Sequence, residues 1–190
     1  QPCCIILGRW LVLGCLVLRP TFQLREMADF GGRKTLGPSL TSAEEFLNFC
    51  KDVPFNGIPA GSLTVEEMLE GQIRLRLRVD ASQHLRPGGT ISGPVMFALA
   101  DLAMWGLVMT AYGPAPMAVT SNLSIDFLQK PDPVDLVVVG KLLRGGRSRL
   151  AFGSLKLFSV DGPWDEESST DMLPVAHVTS TYSVPRKSQL

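Results

Sequence analysis

The run from Gly93 to Ala111, GPVMFALADLAMWGLVMTA, carries a single charge, Asp101. Its length suits a helix of about five turns. Met, Ala and Leu dominate it, which favours helix over strand, and Gly113-Pro114 supplies a stop. The run is apolar nearly all round, so as a helix it must be wrapped on most sides. A lone carboxylate among apolar atoms is costly unless it is bonded, paired or put to work. Asp101 therefore marks a candidate site as well as a constraint on the fold.

The cover is legible as strands. Gln72 to Val79, QIRLRLRV, alternates, with Ile73, Leu75, Leu77 and Val79 on one face and Arg74, Arg76 and Arg78 on a wet one. Leu63–Leu69 precedes it across a Glu70-Gly71 turn. After the helix, residues 117–128, 136–143, 149–159 and 174–184 read as strands. They are separated by turns at 130–135, at Gly145-Gly146 and over 161–171, the last an expected exposed insertion. Upstream, Ser42 and Glu45 form a capping box for a short amphipathic helix near 42–51, with Phe46, Leu47, Phe49 and Cys50 on its inner side. One buried helix and a set of antiparallel strands predict an α+β fold, a curved antiparallel sheet wrapped around one long central helix. No βαβ alternation and no GxGxxG are present, which argues against a dinucleotide fold.

Lys and Arg total 18, as do Asp and Glu, so the 190-residue chain has no net charge. It has no global field to draw nucleic acid, and no such partner is expected. Cys3, Cys4, Cys15 and Cys50 show neither CxxC nor Cys/His metal spacing, so no metal is expected. Cys50 reads as a small buried hydrophobe in a reducing compartment. Residues 1–26 are apolar, carry Arg9, Arg19 and Arg25, and lack an acid before Glu26. Trp10–Leu18 is too short to span a bilayer. The simplest expectation is a non-catalytic leader or upstream sequence before Met27, and organelle targeting applies only if it is native. That leaves 27–54 as a loop and short helix, 55–185 as the main domain, with no membrane span expected in it, and 186–190 as a tail. A cytoplasmic location is expected.

Three features together carry a family resemblance: the order of elements, the loop-helix RPGGTISGP (residues 86–94) leading to Leu99-Ala100-Asp101, and the later strand AVTSNLSIDFLQKP (residues 118–131). They resemble the hotdog-fold acyl-CoA thioesterases of the phenylacetate-degradation (PaaI-like) type, over about 55–184. That family's loop reads Asn-x-x-Gly-x-x-His-Gly-Gly. Gly89 matches its first glycine, Gly93 the glycine whose N–H polarises the thioester carbonyl, and Asp101 the catalytic carboxylate. Arg86 stands in place of Asn, Ser92 in place of His, and Pro94 in place of the second loop-end Gly. The resemblance implies an acyl-CoA thioesterase with no cofactor beyond the coenzyme A of its substrate. It also implies a homodimer or homotetramer with active sites at the subunit interface.

The chemistry suits these residues. A thioester is activated, so one group must hold the developing oxyanion and another must deliver water. The Gly93 N–H at a helix start fits the first role. Asp101 fits the second, as general base or as nucleophile. Pro94 in the first helical turn removes an N–H that has no partner there anyway. Ser92 is a candidate donor to substrate or a plain N-cap. Arg86 is a candidate for a substrate carboxylate or a CoA phosphate. Thr120, Ser121 and Asn122 open the strand that, by the family pattern, lines the site from the partner. Arg144, Arg147 and Arg149 around Gly145-Gly146 are candidates for CoA phosphates, where a planar guanidinium grips best. Met96, Phe97, Met104, Trp105 and Met109 belong to the core or an acyl tunnel. His84 reads as a solvated loop residue and His177 as structural. No GxSxG elbow supports a Ser-His-Asp hydrolase. The alternative is a non-catalytic hotdog protein that binds acyl-CoA or another ligand, and a hotdog dehydratase ranks third.

Overall fold

A computed structural model describes residues 38–52, 58–146, 148–165, 167 and 171–185. The expectations for residues 1–26, for the tail and for Arg147 lie outside the described residues. The elements are α1 (Ala43–Asp52), a 3-10 turn (Ala60–Ser62), β1 (Leu63–Leu69), β2 (Gln72–Leu77), α2 (Ala81–His84), β3 (Leu85–Arg86), β4 (Thr90–Ile91), α3 (Gly93–Tyr112), β5 (Val119–Phe127), β6 (Asp135–Arg144), β7 (Leu150–Val160) and β8 (Ala176–Ser183). Six strands form one antiparallel curved sheet in the order β1-β2-β6-β7-β8-β5, wrapped on α3 as expected, and β3 and β4 make a separate hairpin.

The burial pattern explains the assembly. Ile73, Leu75 and Leu77 of β2, Leu136 and Val138 of β6, Leu155 and Leu157 of β7, and Val178 of β8 all face α3 and are buried. From the helix, Leu99, Leu102, Met104, Leu107 and Met109 meet them with no solvent contact or almost none. Each such side chain stabilises the fold by roughly 1.5–3 kcal/mol relative to exposure. Packing is tight at Gly106, where a Cβ would lie 2.6 Å from Ile73 Cδ1 and 2.9 Å from Phe46 Cζ. α3 is long and apolar enough to cross a membrane by composition, and its burial in the sheet accounts for that character. α1 starts as the capping box predicts, with Glu45 N–H donating to Ser42 Oγ at 3.1 Å, and it buries Phe46 and Cys50.

The outer face of the sheet is less wet than alternation predicts. Arg74 and Arg76 are mostly covered and ion-paired: Arg74 with Glu66 (3.2 Å) and Glu67 (3.5 Å), Arg76 with Glu66 and with Asp135 (3.4 Å). Trp164, inside the stretch expected to be an exposed insertion, is half-buried. Its ring packs on Phe158 at 5.4 Å and lies 5.5 Å from the Arg74 guanidinium. Val137, Phe158 and Val160 make a second small apolar cluster there, which an aromatic from the β7–β8 connection must cover.

Candidate active site

The start of α3 is held by a hairpin rather than by a plain loop. β3 and β4 pair Leu85 with Ile91 and Arg86 with Thr90. Their turn needs left-handed backbone at Gly88 (φ 104°) and Gly89 (φ 68°), which glycine adopts without strain. α2 leads into it, capped by Asp80, whose carboxylate accepts from Ser82 N–H at 2.8 Å. A hydrogen bond from Ser82 Oγ at 2.7 Å, together with that backbone bond, holds the Asp80 carboxyl below the usual carboxylate range. His84 is fully buried, which corrects the solvated reading. Its Nδ1 accepts the Asp80 N–H at 2.8 Å, and its carbonyl accepts from Ser92 N–H at 2.9 Å, so it anchors the loop from beneath. An imidazole can satisfy a local backbone group there, and sequence spacing does not reveal that.

Ser92 is the N-cap of α3, but its side chain makes no capping bond. The Gly93 N–H has no hydrogen-bond partner among the described residues. A Cβ at Gly93 would meet Phe127 Cζ at 3.3 Å, so a side chain there would crowd the end of β5. A cleft of about 410 Å³ opens at this point, lined by Arg86, Gly93, Met96, Phe127 and Lys130 among others.

Asp101 sits eight positions further along α3, half-buried, on a different cleft of about 340 Å³ with Trp105, Val119, Thr120 and Tyr182. Thr120 Oγ1 and Tyr182 Oη each donate to Asp101 Oδ1 at 2.7 Å, and Tyr182 Oη also reaches the Asp101 carbonyl at 3.0 Å. Asp101 Oδ2 makes no hydrogen bond among the described residues. Thr120 and Tyr182 are cross-strand partners on β5 and β8, next to a bulge that sets Ser121 out of register. Bulges re-aim side chains in this way. Burial pushes the Tyr182 phenol well above its usual range, and the Asp101 charge adds to the effect. The phenol is therefore a neutral, permanent donor.

Sequence reading did not single out Tyr182. Its signal was a phenol at an inward position of an alternating strand, in step with buried Ala176, Val178 and Ser180. A buried phenol needs a partner, but that rule does not name the partner. Lys130, beside the Gly93 cleft, was also passed over.

The remaining candidates disperse. Ser121 and Asn122 are exposed on β5, and the Asn122 carbonyl accepts from Ser180 Oγ at 2.9 Å. Arg144 and Arg149 are exposed at the β6–β7 turn. Leu150, Ser183 and Val119 share one row of the sheet, so Arg149 lies near the Asp101 cleft, roughly 10 Å from the start of β5 by strand spacing. Met96, Met104, Trp105 and Met109 are core, whereas Phe97 is 42% exposed. His177 bonds Ser154 Oγ at 3.0 Å on β7. Among the described residues no group of three or more His, Cys, Asp or Glu could hold a metal ion.

Gly93 and Asp101 are about 12 Å apart along α3 by helical rise, on separate clefts, so one chain does not bring them together on one carbonyl. Both clefts touch β5, however, at opposite ends: Phe127 beside Gly93, Thr120 beside Asp101. Among the described residues β5 borders only β8, and its other edge is unpaired.

The thioesterase superfamily profile matches residues 88–154, which include both clefts' helix residues. A protein assigned as a thioesterase from Silicibacter sp. TM1040 is 36% identical, with a TM-score of 0.63, covering 80% of this chain and 97% of that one. A thioesterase-type protein from Streptococcus pneumoniae TIGR4, solved with coenzyme A, is 20% identical (TM-score 0.56; 73% of this chain, 94% of that one). The PaaI protein of the E. coli phenylacetic acid degradation operon is 19% identical (TM-score 0.52; 65% and 80%). The last two likenesses are of fold alone. No curated protein matches the chain.

Proposed function

The chain belongs to the thioesterase superfamily, and on that premise we propose that it hydrolyses an acyl-CoA to a carboxylic acid and free CoA, as a homodimer built across β5. The observation that carries the reading is the Asp101 carboxylate. Two hydroxyls hold its Oδ1, and Oδ2 has no partner among the described residues and lies beside a cleft. That arrangement fixes a base and leaves its working oxygen free.

The dimer follows from β5. Its unpaired edge exposes backbone donors and acceptors, and edges of this kind are normally covered. Val119, Phe127 and the adjoining Met117 and Leu128 are each more than half exposed. Antiparallel pairing of β5 with the β5 of a second copy lays the Phe127 end of one strand on the Thr120 end of the other. Gly93 of one chain then meets Asp101 of its partner, and the two incomplete clefts become one complete site.

In that site the Gly93 N–H, at the positive end of α3, holds the carbonyl oxygen. Asp101 takes a proton from water as the water oxygen attacks the carbonyl carbon. The tetrahedral oxyanion collapses, the C–S bond breaks, and the thiolate leaves and recovers the proton as free CoA. Thr120 and Tyr182 keep the carboxylate aimed throughout. Arg144 and Arg149 are assigned to the CoA phosphates on the Asp101 side, a role in keeping with the coenzyme A bound by the S. pneumoniae protein. Hydrolysis of a panel of acyl-CoAs, read by thiol release, tests the reading. Asp101→Asn is expected to lower kcat by about 10²–10⁴. A single turnover in ¹⁸O water tests for the nucleophile: label in Asp101 requires a mixed anhydride opened at the aspartyl carbon, which a general base does not form. Binding of acyl-CoA with no turnover across the panel would overturn the enzyme reading in favour of a ligand-binding protein.

A further inference from the structure

We propose that the acyl group of the substrate carries its own carboxylate, read by Arg86 and Lys130. The proposal rests on the thioesterase reading and adds a substrate class to it. Arg86 and Lys130 line the cleft that contains Gly93, and no acidic side chain lines it with them. Neither cation makes an ion pair among the described residues, whereas Arg74 and Arg76 on the sheet are both paired. The segments that carry the two cations are pinned to each other. Thr90, the cross-strand partner of Arg86, donates from Oγ1 to the carbonyl of Pro131, next to Lys130, at 3.0 Å. Two exposed positive charges thus sit on joined segments of a cleft that buried Ile91 and Met96 and the half-exposed Phe127 also line.

Position separates the two anions that a CoA thioester could offer. The CoA phosphates lie a whole pantetheine arm from the thioester carbonyl, and that carbonyl must sit at Gly93. A cleft of about 410 Å³ that includes Gly93 is at the small end of ligand sites. In the shared site the pantetheine arm runs towards the Asp101 side, where Arg144 and Arg149 are exposed, and the Gly93 cleft is left to the acyl group. An apolar wall for methylenes, with an unpaired guanidinium and ammonium at the rim, is complementary to a short ω-carboxyacyl chain. Arginine is the better of the two for a bidentate grip on that carboxylate.

The test compares glutaryl-CoA with 5-methylhexanoyl-CoA, in which an isopropyl group replaces the carboxylate. It uses the full chain, with Arg86→Met and Lys130→Met. The wild type is expected to favour glutaryl-CoA in kcat/KM. Arg86→Met is expected to reduce that preference about ten- to a hundredfold, the range for losing one charge-assisted hydrogen bond. Lys130→Met should reduce it less. The same pair as pantetheine thioesters, which lack the nucleotide, should show the same preference. If instead the effects of both variants vanish on pantetheine thioesters, the cations serve the CoA phosphates and the proposal fails. Equal rates for the two acyl groups in the wild type also overturn it. Titration calorimetry with the matching non-hydrolysable thioethers keeps the two readings apart. Tighter binding of the carboxyalkyl thioether, lost in Arg86→Met, supports the anion site even where nothing is hydrolysed, and equal binding sinks it.

Discussion

Replacing Tyr182 with Phe removes one oxygen and nothing else. The ring is 3% exposed and keeps its volume, so no cavity opens. What goes is a donor at 2.7 Å to Asp101 Oδ1 and 3.0 Å to the Asp101 carbonyl. Hydrogen bonds to a charged group contribute about 1.5–3 kcal/mol. Thr120 still holds Oδ1, so the carboxylate is loosened rather than abandoned. For a domain of this size the loss lowers Tm by roughly 3–12 °C. Turnover should fall by about ten- to a hundredfold in kcat with little change in KM, because small misplacements of a reacting group are costly. Tyr112→Phe is the comparison. Its hydroxyl donates to the neutral Ser148 carbonyl at 2.9 Å, so the cost is about 0.5–1.5 kcal/mol and kcat should not move. Urea unfolding and acyl-CoA hydrolysis measure both variants. If Tyr182→Phe matched Tyr112→Phe in both assays, the idea that the phenol holds the base in place would be refuted.

The same phenol sets a pH dependence. Its folded-state pKa lies above the ordinary tyrosine value, so its contribution is fully present below about pH 10 and is lost as pH rises through the folded value. Alkaline unfolding curves should show the wild type losing stability above that point faster than Tyr182→Phe. Burial pushes the Cys50 thiol up to about 12, so with Cys3, Cys4 and Cys15 changed to Ser, a thiol reagent at pH 8 should label Cys50 only after denaturant is added. Gly106→Ala should cost about 1–3 kcal/mol in urea unfolding, since its Cβ would overlap Ile73 and Phe46 in a packed core. Val119→Lys puts a charge on the exposed edge of β5. It should give a monomer by sedimentation and lose activity together with the dimer, and an active monomer would remove the case for a shared site.

Which parts of this were legible beforehand follows from how each is encoded. α3 was readable to within a residue, from Gly93 to its stop at Gly113, because a run with no polar face has no alternative to burial. β2 was readable because Ile73, Leu75 and Leu77 alternate with arginines. The hairpin around Arg86 was missed because two-residue strands carry no periodicity. Trp164 was assigned to an exposed stretch because its neighbours are acidic, whereas its ring is held by Phe158 and Arg74 from other strands.

At the site the division is sharper. The chain in one dimension already marks Asp101 as a candidate, because a lone acid in an apolar run is a local fact, and Gly93 through the resemblance of its loop to the family's. It does not show that Tyr182, 81 residues further on, would reach that acid. Nor does it show that Thr120 would bond Asp101, or that Gly93 and Asp101 would face different clefts at opposite ends of one edge strand. Hydrophobic periodicity encodes which residues are buried, one element at a time. Which polar groups meet depends on strand order, register and a single bulge, and those are settled only when all the elements pack at once.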